Sequence, residues 1–547
     1  MKKKFDTKVQ YHKYKILREV ARKGWDGSIV DAMYKIPKAL INSKDDITRC
    51  CVYKERAITL ERVKIAMGGN SENPNVIEVI DIACDECPES GYDVMDACRG
   101  CMAHRCEDAC KVGAITHDEN HKAHIDKSKC INCGACAKVC PYQAIINRTR
   151  PCENSCKVKA IHMGETGEAT IDNDKCISCG SCVFHCPFGA ISDKSYILDA
   201  IDIIKNSEDN TAYKVYAVVA PSIAGQFTYA KLGQIIEAIH KLGFYDVVEA
   251  ALGADMVAKE ESKELAECDT FLTSSCCPGF VDYVHKFFPG LEEHVSKNLS
   301  PMAVMGRYIK ELDKDAKVIF IGPCTAKKME FKKESVSPYI DCVITFEELQ
   351  ALFDSKDFEV ETFEERSFSG ASYFGRIFAR SGGLSEAVAQ GLRENGNEDF
   401  NYSPIACNGI EECKIALLKA SKGVLPNNFI EGMACVGGCI GGAGCLTHAV
   451  KTKVEVDNYG KESANSEELL KMIKGDNLHI VVNAIDNHSA CTKEFYPDKI
   501  EERFKSCTNK IYRTLEYNDK KFKKVYGDVL FEIAENNNEI TRSIRAA

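Results

Sequence analysis

The sequence lacks several features that would mark a membrane, secreted or nucleic-acid-coating protein. Its 547 residues contain no apolar run long enough to span a membrane. The start, Met-Lys-Lys-Lys-Phe-Asp, has no apolar segment behind its lysines, so no secretory signal is expected. Lys and Arg number 71 against 81 Asp and Glu, and the resulting charge of −10 disfavours a nucleic-acid coat. We therefore expect a cytoplasmic protein with no membrane or nucleic-acid partner.

Cysteine, in contrast, is abundant. Thirty residues are cysteine, whereas disulfide-dense proteins are mostly short and secreted. In a long chain kept in a reducing compartment, clustered cysteines are better explained as thiolate ligands of iron–sulfur clusters or zinc. Sixteen of them lie between Cys84 and Cys186, so the metal-binding capacity is concentrated in one compact region.

The distribution of residue types predicts three regions. Residues 1–80 have the apolar spacing of helices. Their basic start is either a solvated helix face, which we favour, or a dock for an acidic partner, and it comprises Lys2, Lys3, Lys4, Lys8, Lys13, Lys15 and Arg18. Residues 81–200 hold the cysteine-rich domain. Residues 201–547 alternate apolar runs with helical stretches, which predicts an α/β catalytic domain of largely parallel sheets flanked by helices. The runs expected to be strands are 215–220, 246–250, 317–321 and 479–483.

An internal repeat with a 46-residue step runs through the cysteine-rich region. Its two copies contain Cys106, Cys110, Cys130, Cys133, Cys136 and Cys140, then Cys152, Cys156, Cys176, Cys179, Cys182 and Cys186. Each copy ends in C-x2-C-x2-C-x3-C-P, the bacterial ferredoxin signature, in which three close thiolates hold one 4Fe-4S cluster and the fourth reaches a neighbouring cluster. Residues 81–200 are thus predicted to be an α+β ferredoxin-like domain.

Counting ligands divides the sixteen thiolates among four clusters without remainder. Only the two C-x2-C-x2-C triplets are secure from spacing, because the pairs Cys84/Cys87 and Cys98/Cys101 would serve structural zinc equally well. The sequence therefore predicts two to four 4Fe-4S clusters. The four sets are Cys98, Cys101, Cys106 and Cys140; Cys110, Cys130, Cys133 and Cys136; Cys156, Cys176, Cys179 and Cys182; and Cys84, Cys87, Cys152 and Cys186.

Three further cysteine motifs lie at residues 273–280, 322–330 and 431–444. Cys435 and Cys439 stand on a glycine-rich segment that lets a bulky inorganic group approach closely. Cys277 and Cys324 can complete a four-thiolate site. Although a lone buried cysteine is usually an inert small hydrophobe, three such motifs in this order are not explained by a ferredoxin.

The three motifs, in this order, closely resemble TSCCP, PCxxKxxE and MxCxxGCxxGG of the iron-only (FeFe) hydrogenases. The resemblance extends over about residues 81–450 and implies an H-cluster, a 4Fe-4S cubane joined to a two-iron centre with carbon monoxide, cyanide and azadithiolate ligands. It implies the reaction 2H⁺ + 2e⁻ ⇌ H₂, ferredoxin or a similar carrier as electron partner, and hydrogenase maturation factors. The implied cubane ligands are Cys277, Cys324, Cys435 and the bridging Cys439.

The same resemblance assigns roles to other motif residues. Cys276 would exchange protons with the cofactor, which suits a thiol with an ordinary pKa of about 8.5. Lys327 would donate to cyanide and Glu330 would orient it, although elsewhere the two would be a solvated helix pair. The resemblance also implies cofactor contacts by Met433, Pro221 and Ser222. It implies a proton path through Glu261, Glu264 and Ser296. Outside this family, the two glutamates would be ordinary surface residues and the serine a helix cap.

Several positions depart from the usual pattern of the family. Gly322 stands where methionine is usual, Met302 where glutamine is common, Phe280 where tryptophan is usual, and 444–446 reads Gly-Cys-Leu in place of Gly-Gln-Pro. Replacement of methionine by glycine is expected to open space at the active centre. The pattern resembles a divergent subgroup of monomeric, ferredoxin-linked hydrogenases.

Three other functions compete with H₂ catalysis. A sensor would use the cofactor to report H₂ with little turnover, but no signalling segment is evident. A hydrogenase-like iron–sulfur assembly factor has no need of Lys327 or Cys276. A plain polyferredoxin does not explain the three late motifs. The cysteines left without a role are Cys50, Cys51, Cys268, Cys342, Cys407, Cys413, Cys445, Cys491 and Cys507.

Overall fold

The computed structural model describes residues 5–43, 51–368, 370–448 and 451–463. The strand expected at 479–483, together with Cys50, Cys491 and Cys507, lies outside these residues. Across the described ranges, no helix combines the length and the apolar character that crossing a bilayer requires.

Helices form most of the first region, as the apolar spacing predicts. The first helix begins after Thr7, whose hydroxyl accepts a hydrogen bond from the Gln10 amide at 3.1 Å. Its apolar face, with Leu17 and Val20, packs into the main core beside Ile201. The helices are Lys8–Trp25, Ile29–Ala32, Ile36–Leu40 and Val52–Ala66.

The favoured interpretation of the basic start is wrong for Lys13. The Lys13 ammonium lies 2.5 Å from the Asp193 carboxylate and 2.6 Å from that of Glu347, both of which are buried. This lysine therefore ties the first helix to the rest of the molecule and does not belong to a solvated face.

The sequence repeat is also a structural repeat. Short helices at Ala135–Val139 and Ser181–His185 occupy equivalent places in the two copies. The glycine before each helix, Gly134 or Gly180, has a φ of 74°, which a residue with a side chain rarely adopts. Glycine thus permits the tight turn that follows the second cysteine of each C-x2-C-x2-C run.

Four two-stranded antiparallel sheets complete the ferredoxin-like domain. One of them pairs Ile77–Val79 with Ile191–Asp193 and so crosses the predicted boundary at residue 80. The other pairs are Gly91–Val94 with Ile145–Arg148, Ile115–His117 with Ala123–Ile125, and Ile161–Met163 with Ala169–Ile171. The remaining helices of this domain are Arg105–Asp108 and Pro151–Ser155.

Two parallel sheets form the centre of the third region, as predicted. The larger has four strands in the order Asp246–Glu249, Val215–Val219, Lys317–Gly322 and Cys342–Thr345, and every neighbouring pair is parallel. The smaller has three parallel strands in the order Leu272–Thr273, Phe429–Met433 and Pro404–Asn408. The flanking helices are Ile197–Asn206, Leu232–Lys241, Ala250–Ala266, Pro278–Phe287, Pro301–Leu312, Lys327–Glu330, Phe346–Ser355, Tyr373–Ile377, Gly383–Glu394, Ile410–Ser421 and Lys451–Lys461.

The late cysteine motifs all follow the carboxyl ends of these strands. Cys277 comes after Leu272–Thr273, Cys324 after Lys317–Gly322, and Cys435 after Phe429–Met433. In open parallel sheets this is the edge at which ligands bind, because the loops there diverge around a crevice. The fold therefore brings the three motifs to one place from distant parts of the chain.

Candidate active site

Four cysteine sulfurs converge at this edge. Burial raises the pKa of Cys439 to about 12, and the neighbouring thiols of Cys277 and Cys324 add to the shift. Burial likewise raises the pKa of Cys435 well above its usual value, with contributions from Cys324 and Cys277. The structure thus places together the four residues that the resemblance implies as cubane ligands.

These thiols fit an iron–sulfur group better than a structural role. Four buried thiols that raise one another's pKa cannot all ionise unless a cation compensates their charge, and bound metal deprotonates such thiols. Iron within a cubane supplies that charge. The donor set therefore suits the cubane of an H-cluster.

Cys276 and Lys327 lie directly beside this set. Burial and then the Glu261 carboxyl raise the pKa of Cys276 well above its usual value, so this thiol stays protonated at neutral pH. The Lys327 ammonium lies 3.3 Å from the Cys276 carbonyl oxygen and 2.6 Å from the Glu330 carboxylate. Burial opposes the charge of Lys327, but Glu330 and the nearby thiols outweigh it and raise the pKa.

Lys327 and Glu330 are both buried, at 8% and 7% exposure, so a solvated helix pair is excluded. Buried pairs of this kind are costly to desolvate, and a protein that keeps one commonly uses it for function. The ion pair with Glu330 holds the Lys327 ammonium near the thiols of Cys324 and Cys276.

The remaining cofactor contacts implied by the resemblance also lie at this site. Ser222 is fully buried, and within the described part of the chain its hydroxyl has no hydrogen-bond partner. It follows Pro221 in a short helical turn directly after the strand Val215–Val219. Met433 is 2% exposed and packs in the same apolar cluster as Cys276. An unpaired buried hydroxyl is costly, and a polar ligand of the cofactor would satisfy it.

The three residues of the implied proton path lie in sequence from surface to interior. Glu264 is half-buried, and its carboxylate accepts a hydrogen bond from the Ser296 hydroxyl at 2.8 Å. Ser296 lies close enough to Glu261 to influence the pKa of its carboxyl group, which is completely buried and whose Oε2 atom accepts no hydrogen bond among the described residues. Glu261 in turn lies beside Cys276. A surface position for Glu261 is therefore excluded.

Ser275 and Asn298 belong to the same network and were missed from the sequence. The Ser275 amide and hydroxyl donate to Glu261 at 3.1 and 3.3 Å, and Asn298 donates to Glu264 at 3.1 Å. Ser275 could have been found, because it directly precedes Cys276 in the first late motif. Asn298 carried no signal, since an isolated asparagine is usually a surface residue.

The pKa of Glu261 yields a prediction about stability. Burial, the main cause, raises this pKa from 4.5 to about 7. Between these values the folded protein holds a proton that the unfolded chain has released, so the free energy of unfolding falls as the pH rises. The loss amounts to about 3 kcal/mol by pH 8. Glu261→Gln is expected to remove this loss, as measured by urea unfolding at pH 5 and pH 8.

Glu267 is exposed, six residues after Glu261 at the end of the same helix, and Glu267→Gln is the matched control, which should leave the pH dependence unchanged. Equal pH dependence in Glu261→Gln and the parent protein would contradict the assigned pKa.

In the ferredoxin-like domain, the structure brings cysteines together in groups that are compatible with the four proposed sets. Two sets each line a cavity of their own: Cys98, Cys101, Cys106 and Cys140 in one, and Cys110, Cys130, Cys133 and Cys136 in the other. In the third set, burial raises the pKa of Cys182 well above its usual value, and the thiols of Cys179, Cys176 and Cys156 add to the shift, as does Cys152 of the fourth set. In the fourth, burial raises the pKa of Cys152 to about 11, with Cys186 and Cys87 contributing.

The third set adjoins the late motifs. Cys156, Cys179 and Cys435 line one cavity of about 640 Å³. The Thr325 hydroxyl, next to Cys324, donates to the Ser178 carbonyl, next to Cys179, at 2.8 Å. The ferredoxin-like domain thus reaches the four-thiolate site through direct contact.

The expectation of open space at Gly322 is wrong. A Cβ atom on this glycine would lie 2.6 Å from the ring of Phe320, two residues earlier on the same strand face. The Phe320 ring fills the volume that a methionine would occupy. Phe280 is likewise fully buried, against Gly432, and Met302 lies in the main core at 1% exposure.

A histidine–glutamate group occurs near the first set of cysteines. Both His104 Nδ1 and His117 Nδ1 lie 3.2 Å from the Glu107 carboxylate. The two rings are stacked, with centroids 3.7 Å apart and an interplanar angle of 13°. Parallel stacked rings cannot both point their lone pairs at one ion, so this arrangement fits hydrogen bonding to a shared carboxylate.

Comparisons with known proteins find matches to hydrogenase and iron–sulfur domains. Residues 213–443 match the family that comprises the C-terminal domain of the iron only hydrogenase large subunit. Residues 97–144 match a 4Fe-4S dicluster domain and residues 169–192 a 4Fe-4S binding domain. The dicluster match contains all eight cysteines of the first two sets, which favours iron–sulfur clusters over zinc at Cys98 and Cys101.

Among curated proteins, iron hydrogenase 1 of Clostridium pasteurianum is 29% identical over 46% of this chain and 53% of its own length. The periplasmic [Fe] hydrogenase large subunit of Nitratidesulfovibrio vulgaris is 28% identical over 60% of this chain and 87% of its own length. The cytosolic Fe-S cluster assembly factor NAR1 of Kluyveromyces lactis is 26% identical over 38% of this chain and 47% of its own length. The chain thus spans about half the length of the first and third of these relatives.

A solved structure of an apo [FeFe]-hydrogenase from Chlamydomonas reinhardtii aligns with 52% of this chain and 97% of its own, at 22% identity and a TM-score of 0.41. By its matched domains and relatives, the chain is similar to the iron-only (FeFe) hydrogenases, with 4Fe-4S domain matches that precede the match to the C-terminal domain of the large subunit.

Proposed function

We propose that the protein catalyses the reversible reaction 2H⁺ + 2e⁻ ⇌ H₂ at an H-cluster. The observation that carries this proposal is the convergence of four thiols with the Cys276 thiol and the Lys327 ammonium at the inner end of a buried carboxyl path. In the proposal, Cys277, Cys324, Cys435 and Cys439 hold the cubane. When bound, the H-cluster supplies the iron centres at which electrons and hydrogen are exchanged.

The protein's own contribution begins with proton delivery. Glu264 exchanges protons with solvent and passes them through the Ser296 hydroxyl to Glu261, whose pKa of about 7 suits both acceptance and release near neutral pH. Cys276 receives the proton from the Glu261 side and holds it at Sγ, facing the cofactor. A thiol kept protonated by burial is a suitable donor at this place.

Lys327 and the residues around it hold and orient the diatomic ligands. Lys327 carries a fixed positive charge with donors that can rotate toward a cyanide, and Glu330 holds the lysine in place from behind. Ser222 offers its unpaired hydroxyl from the opposite loop, and Met433 contributes apolar surface that excludes water. These residues define a dry site of mixed polarity.

Electrons reach the site through the ferredoxin-like domain. The second set includes the exposed Cys133, and the third set adjoins the four-thiolate site through Cys156 and Cys179. One accessible set and one set beside the active site support a relay of two to four 4Fe-4S clusters. We infer that ferredoxin or a similar carrier exchanges electrons at the surface, that maturation factors install the two-iron centre, and that the protein works in the cytoplasm.

Infrared spectroscopy of the protein loaded with a two-iron complex tests the proposed cofactor. We expect bands of bound carbon monoxide and cyanide in the parent protein and in Cys342→Ala, a buried cysteine of the large sheet. In Cys324→Ala, which removes one cubane ligand, the bands should be lost or fall by more than tenfold. Equal bands in Cys324→Ala and the parent protein would contradict the proposed ligand set.

A role in iron–sulfur assembly is the second candidate, since the chain also matches NAR1 and the human nuclear prelamin A recognition factor. Intact 4Fe-4S clusters without carbon monoxide or cyanide bands, after loading, would favour it. A sensor of H₂, the third candidate, would show the bands but little turnover.

A further inference from the structure

The segment 442–448, which follows the implied bridging ligand Cys439, is held by the amino-terminal residues of the chain. The matched families begin at residue 97 and assign nothing to the first helix. The same segment contains Gly444-Cys445-Leu446, where the sequence departs from its family. Both features therefore lack an explanation in the proposed reaction.

Gln10 makes the first contact between them. Its side-chain amide donates to the Cys445 carbonyl oxygen at 2.6 Å, across a sequence separation of 435 residues. Its amide oxygen accepts from the backbone N–H of Asp6 at 3.0 Å. Gln10 is only 6% exposed, so both ends of a buried amide are used.

Asp6 makes the second contact. Its carboxylate accepts from the His448 backbone N–H at 2.8 Å and lies 3.0 Å from Nδ1 of the same histidine. Nε2 of His448 lies 3.0 Å from the Gly442 carbonyl oxygen. The His448 ring also packs on Phe184, with centroids 4.1 Å apart. Gln10 thus holds the middle of the segment and Asp6 its last residue, His448, whose ring in turn contacts the first residue, Gly442.

The gripped segment is in turn bonded to the ligand loops. The Cys445 thiol lies 3.7 Å from the Cys439 carbonyl oxygen and 3.4 Å from that of Ile440. The Gly444 N–H donates to the Pro323 carbonyl, next to Cys324, at 2.8 Å. A shift of this segment would therefore move two of the four implied ligands.

The first helix does not need these contacts in order to dock. Lys13 pairs with Asp193 and Glu347, Trp25 donates to Ser355 at 3.0 Å, and Leu17 is buried in the main core. The hydrogen bonds of Asp6 and Gln10 are additional to these contacts. Each of them joins a polar side chain to the segment 442–448 beside the implied ligands. Their placement favours a role at the site over a role in holding the helix.

We propose that Asp6 and Gln10 form an amino-terminal clasp that positions the Cys439 ligand loop. Asp6 and Gln10 are positioning residues, because they act on the metal site through the segment 442–448. The assignment of Cys439 as a ligand rests on the proposed function, but the clasp itself does not.

Gln10→Glu tests the clasp with minimal change of shape. The carboxylate keeps the acceptor for the Asp6 N–H, loses the donor to the Cys445 carbonyl and adds repulsion from the nearby buried Glu347 carboxylate. Lys8→Gln, an exposed position in the same turn, changes the charge by the same amount and is the control. Hydrogen–deuterium exchange of the full chain with its iron–sulfur clusters should become about tenfold faster at 440–448 in Gln10→Glu. In Lys8→Gln it should match the parent protein.

Infrared spectra of the loaded proteins supply the readout that a merely structural contact would not move. We expect the carbon monoxide and cyanide bands to shift or split in Gln10→Glu and to stay unchanged in Lys8→Gln. Asp6→Asn, at a half-buried position, weakens the contact with His448 and should give the same effects. It serves as the second variant in case Gln10→Glu folds poorly.

Unchanged exchange at 440–448 in Gln10→Glu and Asp6→Asn would overturn the clasp. Faster exchange with unchanged bands would overturn its positioning role. Absence of bands in the parent protein would contradict the proposed function instead, and the exchange comparison, which does not need the two-iron centre, would still decide the clasp.

Discussion

Replacement of Cys276 by alanine is expected to lower H₂ evolution and uptake by about 10²–10⁴-fold, the usual contribution of a positioned proton donor. Cys276 is 8% exposed, and Glu261 at the end of the carboxyl path lies beside it. Without the thiol, the path ends short of the cofactor. Turnover would be measured by gas chromatography on loaded protein with a viologen electron carrier.

The comparison with other variants isolates the proton step. Cys342→Ala removes a buried thiol whose neighbours, Tyr196, Asp199 and Glu348, do not belong to the path, and it should retain full activity. The infrared bands of Cys276→Ala should keep the intensity of the parent protein, because Cys276 is not an implied ligand. Near-parental turnover in Cys276→Ala would remove the proposed proton route.

Replacement of Lys328 by methionine is expected to reduce the free energy of unfolding by about 3–5 kcal/mol, the usual cost of breaking a buried ion pair. The Lys328 ammonium is completely buried, 2.9 Å from the Asp193 carboxylate and 2.8 Å from that of Glu348. Methionine fills a similar volume but leaves buried carboxylates short of a cation. Urea unfolding at neutral pH would measure the difference.

The chain provides a matched control for this variant. Lys333 lies five residues further on and pairs with Asp282 at 2.8 Å on the surface. Lys333→Ala should cost no more than about 1 kcal/mol, because exposed pairs contribute little. Equal losses in the two variants would contradict the energetic role of the buried network.

The network also has a functional consequence. Although burial opposes ionisation, the ammonium groups of Lys13 and Lys328 hold the pKa of Asp193 below its usual range. Lys13 belongs to the first helix, Asp193 ends the last strand of the ferredoxin-like domain, and Lys328 adjoins Lys327 in the second late motif. The buried ions therefore fix the ferredoxin-like domain against the segment that carries Lys327.

Local sequence was sufficient to predict the ferredoxin-like domain. Three ligands of one cubane lie within seven residues, as at 130–136, so their spacing alone reveals the cluster. The same holds for the parallel strands at 215–220 and 317–321, since buried strands read as short apolar runs. Their parallel pairing is confirmed.

Long-range contacts were not predictable. The Gln10–Cys445 and Lys13–Glu347 contacts join residues that are 435 and 334 positions apart, and no spacing rule relates them. The wrong expectation of open space at Gly322 shows a second limit of prediction from sequence. The lost methionine volume is filled by Phe320 on the same strand face, which a residue-by-residue comparison does not reveal.

H₂ evolution by the loaded full-length protein tests the central claim most directly. With reduced methyl viologen as electron donor, protein that shows carbon monoxide and cyanide bands should evolve H₂ continuously over many turnovers. It should also oxidise H₂ when the viologen is supplied oxidised. Bands without turnover in either direction would contradict catalysis and favour sensing.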